Sequence, residues 1–312
     1  FTASAPGASG LLNRPTSQFV AVGEGHQLHL RHFPGPGSPV LMVHGAVENG
    51  RIFYSKSGKG LAPYLQAAGL DVYVLDLRGR GESRPKIDRH AEHGQYESIT
   101  IDLPAVSDYI AQQRPDRSQL WISHSWGGVL QMSALVRQPE LIDRVAALVH
   151  FGVKRAIRVW SWKRFFQVEL GWKRLGVLIG AVVGYLPADR LGYGSDVETR
   201  ASLRASNAWI GKGAWIDPTD GFDYRAAAQN QNLPPSLWLT GSADELLGHP
   251  QDVLRFMREC EVNEDSFVLV GKATGAKHNY GHNDLIVHRD APADHFPRVL
   301  AWIREQEEDN NE

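Results

Sequence analysis

Ser125 sits where an apolar run meets a helix-like pattern, in the stretch Gln119-Leu120-Trp121-Ile122-Ser123-His124-Ser125-Trp126-Gly127-Gly128. A strand, a sharp turn and a helix in that order hold the hydroxyl out of both elements. The first unpaired N–H groups of the helix then point at whatever the hydroxyl attacks. Ser125 is therefore the candidate nucleophile. The usual spelling of such a turn is G-x-S-x-G, and here Ser123 stands in the first glycine position, still small enough for strand and helix to approach closely. A serine hydroxyl is a weak nucleophile until a base takes its proton. Histidine suits that task, because an ordinary pKa of about 6.5 lets it accept a proton near neutrality and return it to a leaving group. An aspartate on the other ring nitrogen fixes the tautomer and stabilises the imidazolium as it forms. Asp244 follows an apolar run, with Glu245 as its rival; His278, His282, His288 and His295 compete for the base.

The elements that must position these residues follow from periodicity. Phe19–Val22 and His26–Phe33 alternate around Gly23-Glu24-Gly25, as an antiparallel hairpin would. The histidines there are expected to decorate a strand face. Val40–Val43, Val72–Leu75, Leu120–Ile122, Val145–Val149 and Ser236–Thr240 are short apolar runs of the kind buried on both sheet faces, with a further strand at Ser266–Val270. Helical patterns at 60–68, 99–113, 126–137, 251–258 and 291–304 come between or after them. The expected fold class is α/β, a mostly parallel central sheet with helices on both faces and ligands at the carboxyl ends of the strands. The alternation breaks at 152–233, where no strand pattern shows and aromatic residues crowd together, which predicts an inserted helical cap. The expected organisation is a leader over 1–14, a core over 15–151 and 234–306 interrupted by that cap, and an acidic tail over 307–312.

With those elements in order, the chain resembles the α/β-hydrolase fold family, in its serine esterase or lipase-like form with a helical cap. The resemblance is carried by His44-Gly45, Asp76-Leu77-Arg78-Gly79-Arg80-Gly81-Glu82-Ser83, Ser123-His124-Ser125-Trp126-Gly127-Gly128, Gly241-Ser242-Ala243-Asp244 and Gly281-His282. The order serine, acid, histidine is also the family's. The resemblance implies Asp244 as the acid and His282 as the base, since Tyr280-Gly281-His282-Asn283-Asp284-Leu285 is similar to the histidine loop of lipase-like members; His278 is the main alternative. It further implies an oxyanion hole from the backbone N–H groups of Ala46 and Trp126. Arg78 and Arg80 are assigned to a tight family turn and not to the site. No metal or organic cofactor is implied. The reaction expected is hydrolysis of carboxylic esters through an acyl-enzyme. An acyltransferase or thioesterase with the same triad, or a binding protein on the same fold, are the alternatives. Epoxide hydrolase and haloalkane dehalogenase chemistry needs a carboxylate at the elbow, and Ser125 argues against both.

Composition narrows the partners. With 33 Lys and Arg against 35 Asp and Glu, the chain lacks the basic excess that neutralising phosphates needs, so nucleic acid is not expected. The single Cys260 excludes an internal disulfide framework and reads as a buried thiol. In the cap, Trp162, Phe165 and Phe166 share one face at helical spacing and are expected to form either the cap's core or an acyl-chain wall. The uncharged run from Leu175 to Ala188 is shorter than the ~20 residues a spanning helix needs, so it covers or docks. A small-molecule ester is the expected substrate, and a lipid or membrane surface is the partner such a cap would meet. A cytoplasmic location is the expectation, with a removed targeting segment left open, as is the oligomeric state.

Overall fold

The computed structural model describes residues 14–211 and 213–309, so the expected leader lies outside the described residues apart from Arg14. The antiparallel hairpin of β1 (Thr16–Val22) and β2 (His26–Phe33) turns through Glu24 and Gly25, both with positive φ, as a tight twisted hairpin requires. Then come β3 (Pro39–Val43), β4 (Asp71–Asp76), β5 (Gln119–His124) and β6 (Val145–Phe151). A short ribbon, β7 (Tyr185–Leu186) with β8 (Glu198–Thr199), precedes the last two strands, β9 (Ser236–Gly241) and β10 (Phe267–Val270). The main sheet has eight strands in the order β1-β2-β4-β3-β5-β6-β9-β10. All pairs from β4 onward in that order are parallel, and only β1/β2 and β2/β4 are antiparallel.

The apolar runs are continuous because both sheet faces are covered. Leu41 and Val43 of β3 enter one core cluster with α2 (Leu103–Gln113), α3 (Trp126–Arg137) and α5 (Pro250–Glu259), while Val40 and Met42 enter the other with α1 (Leu61–Ala67) and α6 (Phe296–Asp309). α3 is buried at every position except its last, so cutting Leu135 back to alanine would cost about 2–5 kcal/mol. Cys260 is buried there too, and burial pushes its thiol pKa well up, as befits an inert structural thiol.

The C-terminal helix differs from expectation. It starts at Phe296, with Pro297 in the first turn, and runs to Asp309, so residues 307–309 of the expected tail are helical. Arg304 explains the extension: its guanidinium donates to Glu307 Oε2 at 2.7 Å and to the Ala68 carbonyl at 2.5 Å, pinning the last turns. Residues 310–312 lie outside the described residues.

β6 and β9 are neighbours in the sheet, so everything between them is inserted. This insertion holds a helical run over 162–183, the β7/β8 ribbon, and α4 (Arg200–Ile210). The ribbon has only two residues per strand, too few to show an alternating pattern in sequence. Gly180 meets Leu203 and Arg200 of α4 at 3.6 Å from where a Cβ would stand, so its small size serves packing within the chain. Among the described residues no helix is long and apolar enough to cross a membrane.

Candidate active site

The turn between β5 and α3 puts Ser125 at φ 51°, ψ −124°, a conformation that few non-glycine residues adopt. Gly127 makes the turn sterically feasible: a Cβ there would stand 2.4 Å from the Val43 carbonyl and 2.5 Å from that of His44. Ser123, in place of the customary glycine, turns its hydroxyl to His150 Nδ1 at 2.7 Å, and burial drives the His150 pKa down to about 3, so that imidazole stays neutral. Ser125 itself is 9% exposed and borders a cavity of about 540 Å³ at the carboxyl ends of the strands.

His282 Nε2 lies 2.8 Å from Ser125 Oγ, and His282 Nδ1 lies 2.6 Å from Asp244 Oδ2. The three side chains thus form one hydrogen-bonded chain from acid to hydroxyl. The His282 ring rests over Gly152, where a Cβ would come within 2.9 Å of it. The rivals face elsewhere. Glu245 is paired with Lys163, His278 with Asp290 at 2.7 Å, and His295 donates to the Leu285 carbonyl at 2.7 Å.

Burial lowers the His282 pKa, the Asp244 carboxylate opposes that, and the nearby charges of His124 and Lys154 reinforce it; the net shift is downward. For Asp244, burial alone would raise the pKa, but His282 and Lys154 outweigh it and keep the carboxylate ionised. Ala46 and Trp126 both line the cavity, and among the described residues neither backbone N–H has a protein acceptor. Two free donors flanking a hydroxyl are what a developing oxyanion would need.

Two charged groups at the site were not anticipated from sequence. Glu48 accepts from the Gly45 N–H and faces His124 Nδ1, both at 3.0 Å. Burial opposes its ionisation, yet His124 outweighs burial and holds the pKa at about 2. Lys154, just beyond β6, donates to Ser125 Oγ at 3.4 Å. A charged residue following the carboxyl end of a parallel strand was the only available signal for Lys154.

Trp162, Phe165 and Phe166 do not join this site. They are 66%, 37% and 59% exposed, pack against one another largely edge to face, and none borders the cavity. Phe165–Gly176 winds with the wider i→i+5 turns of a π-helix, so the 3.6-residue spacing misjudged which face turns inward. Val168 and Trp172, four apart, line the cavity instead, with Ile157, Tyr193 and Ile210. Arg78 makes a forked pair with buried Asp102, and Arg80 pairs with Glu198 of the insertion, so both arginines hold structure.

Residues 38–288 match the family described as alpha/beta hydrolase fold. The chain belongs to the alpha/beta hydrolase fold family. Among curated relatives it is 30% identical over 140 residues to epoxide hydrolase A of Mycobacterium tuberculosis, a match covering 44% of this chain and 39% of that enzyme. It is 27% identical over 162 residues to bifunctional epoxide hydrolase 2 of Rattus norvegicus, covering 48% of this chain and 27% of that one. The chain therefore spans less than half the length of either. Among solved structures, a soluble variant of monoglyceride lipase from Saccharomyces cerevisiae superposes with a TM-score of 0.65 at 15% identity, over 97% of this chain and 99% of that one. At that identity the likeness speaks for the fold alone, and it agrees with the mostly parallel eight-stranded sheet of this family member.

Proposed function

We propose that this family member is a serine hydrolase of carboxylic esters that works through an acyl-enzyme. The observation that carries the reading is the continuous Asp244–His282–Ser125 hydrogen-bonded chain, ending on a serine in a strained strand-to-helix turn. In this mechanism His282 Nε2 takes the Ser125 proton as Oγ attacks the ester carbonyl. The N–H groups of Ala46 and Trp126 receive the oxyanion, and the imidazolium then returns its proton to the departing alcohol. Water, deprotonated by the same histidine, releases the acid and frees Ser125. The similarity to epoxide hydrolases favours epoxide opening as a second reading, but that chemistry calls for a carboxylate where Ser125 stands. Labelling with a fluorophosphonate followed by peptide mapping tests the proposal. Modification at Ser125 is expected, abolished in His282→Ala; an unmodified Ser125 in folded protein, or turnover of an epoxide but of no ester, would overturn it.

The same reading gives the exposed aromatic face a role. Trp160, Trp162 and Phe166 stand out from the insertion, and the stretch 158–193 carries six Lys and Arg against two acids although the whole chain has a net charge of -2. Aromatic rings beside basic residues suit an anionic lipid surface. Cosedimentation with phosphatidylglycerol vesicles, weakened by salt and by Trp162→Ala with Phe166→Ala, is expected; no binding at low salt would rule the contact out.

A further inference from the structure

The insertion begins with a buried cation that no carboxylate neutralises by contact. Lys154 is 4% exposed, and its ammonium borders the cavity beside Ser125. Among the described residues its one hydrogen bond is the long donation to Ser125 Oγ at 3.4 Å, and none of the ion pairs includes it. Three acids lie near enough to act on it through space, Asp244, Asp252 and Glu48, and each is already engaged. Asp244 holds His282 at 2.6 Å. Asp252 accepts the N–H groups of Arg158 and Val159 at 3.0 and 3.2 Å and pairs with Arg255. Glu48 is bonded to His124 and to the Gly45 N–H.

An ammonium taken out of water without a partner is costly. Burial accordingly drives the Lys154 pKa down to about 8, which leaves the group mostly charged at neutral pH. Much of the rest of the cavity wall is apolar, with Ile157, Val168, Trp172 and Ile210, and the carboxylate that lines it, Glu48, is held by His124 and the Gly45 N–H. With no carboxylate in contact, the ammonium's donors are open to an anion carried by a ligand.

We propose that Lys154 binds a carboxylate carried by the substrate, so that the preferred ester is an anionic one whose remaining body is apolar. This rests on the serine-hydrolase reading of the same cavity. Reach sets the position of the carboxylate. A charge-assisted contact of about 2.8 Å to Nζ, with Nζ 3.4 Å from Oγ, puts the carboxylate oxygen within about 6 Å of Ser125 Oγ, the atom that attacks the carbonyl. One or two carbons separate the two groups at that distance, on either the acyl or the alcohol side.

Two pairs of alkyl esters of matched shape test this through kcat/KM. Monomethyl succinate against methyl 4-methylpentanoate places the charge on the acyl side, and O-butyrylglycolate against isobutyl butyrate places it on the alcohol side. The wild type is expected to favour the anionic member of one pair by about 10- to 100-fold, the range a charge-assisted hydrogen bond supplies. Lys154→Met should bring that ratio to about one, and Lys154→Arg should restore part of it. A measurement on the wild type alone guards against a variant that does not fold. The ratio should decline as pH rises through about 8, because Lys154 loses its charge there. His282 is needed neutral by both members of a pair, so its titration cancels. Asp244, Asp252 and Glu48 are the acids facing Lys154, and the lowered pKa values of Asp244 and Glu48 keep both ionised throughout that range.

Equal rates within both pairs for the wild type, or a Lys154→Met that slows both members alike and keeps the ratio, would overturn the assignment. If Ser125 is labelled by fluorophosphonate and the neutral esters turn over without anionic preference, only the Lys154 assignment falls. If no ester of the four shows Ser125-dependent turnover, the hydrolase reading falls with it.

Discussion

At Ser125 the backbone conformation and the hydrogen bond to His282 serve one end: the hydroxyl is exposed to the cavity and its proton has a place to go. Holding a non-glycine residue at φ 51° costs about 1–3 kcal/mol, which the packed strand and helix on either side sustain. Because a triad acts as a unit, Ser125→Ala and His282→Ala are each expected to lower kcat by on the order of 10⁵ to 10⁶ on p-nitrophenyl butyrate. Asp244→Asn should leave more activity than either, and His278→Ala should stay near wild type; an inactive His278→Ala beside an active His282→Ala would reverse the choice of base. The pH profile follows from the lowered His282 pKa. Protonated His282 cannot accept the serine proton, so activity is lost as pH falls through the His282 pKa. The downward shift therefore carries activity to lower pH than an ordinary imidazole near 6.5 would allow. Removing the Lys154 charge by Lys154→Met should move that acid limb up in pH, visible in kcat/KM; an acid limb above 6.5 in the wild type would contradict the electrostatics described.

Between elements, the insertion grips the loop that follows β3. The Val47 carbonyl accepts from the N–H groups of Ser195 and Asp196 at 2.9 and 3.0 Å, and Val47 itself has φ 52°, rare for a β-branched residue. Asp196 Oδ2 also takes Asn49 Nδ2 at 2.9 Å and the Gly81 N–H at 2.8 Å. Ala46, next to Val47, is thereby held with its N–H free. Asp196→Ala is expected to lower kcat about 10-fold or more, towards the 10²–10³ that losing one oxyanion donor costs, with KM little changed. A lowered Tm with kcat intact would reduce this latch to a structural tie. The π-helical stretch lines the cavity with Val168 and Trp172. If Val168 and Trp172 form the wall, each added methylene gains up to ~0.8 kcal/mol until the cavity is full. In a p-nitrophenyl series from two to twelve carbons, medium chains should beat acetate, and Trp172→Ala should shift the optimum while Trp162→Ala should not. Acetate as the best substrate would remove the apolar wall from the account.

For the molecule as a whole, a buried cation with no carboxylate in contact among the described residues is a stability cost. The Lys154 pKa is lower in the folded chain, about 8, than its ordinary 10.5. The destabilisation is therefore fully present below pH 8 and fades as pH rises from 8 to 10.5, where the unfolded chain holds the proton more tightly. Lys154→Met should raise denaturant stability at pH 7, by about 1–4 kcal/mol if it follows other buried charges replaced by apolar groups. The gain should shrink by pH 10. A variant less stable than wild type at pH 7 would mean that Lys154 has a structural partner instead of awaiting one.

The sequence by itself determined the sheet and, the bounds of the C-terminal helix aside, the helices that flank it, because a strand buried on both faces must be apolar throughout and a helix packed on one stripe must repeat. Helix α3 begins and ends where its pattern does, at Trp126 and Arg137. The chain order of Ser125, Asp244 and His282 was equally legible, since motifs at strand ends are local. The tertiary structure decided the rest. It chose among the histidines by distance, which no local pattern encodes. It turned Val168 and Trp172 to the cavity and left Phe165 and Phe166 outside, because a π-helical winding breaks the periodicity from which faces are read. It buried Lys154 and Glu48 beside Ser125. In sequence a buried charge and a solvated one are the same letter, and only the insertion folding back over the sheet excludes the water that would have made them ordinary.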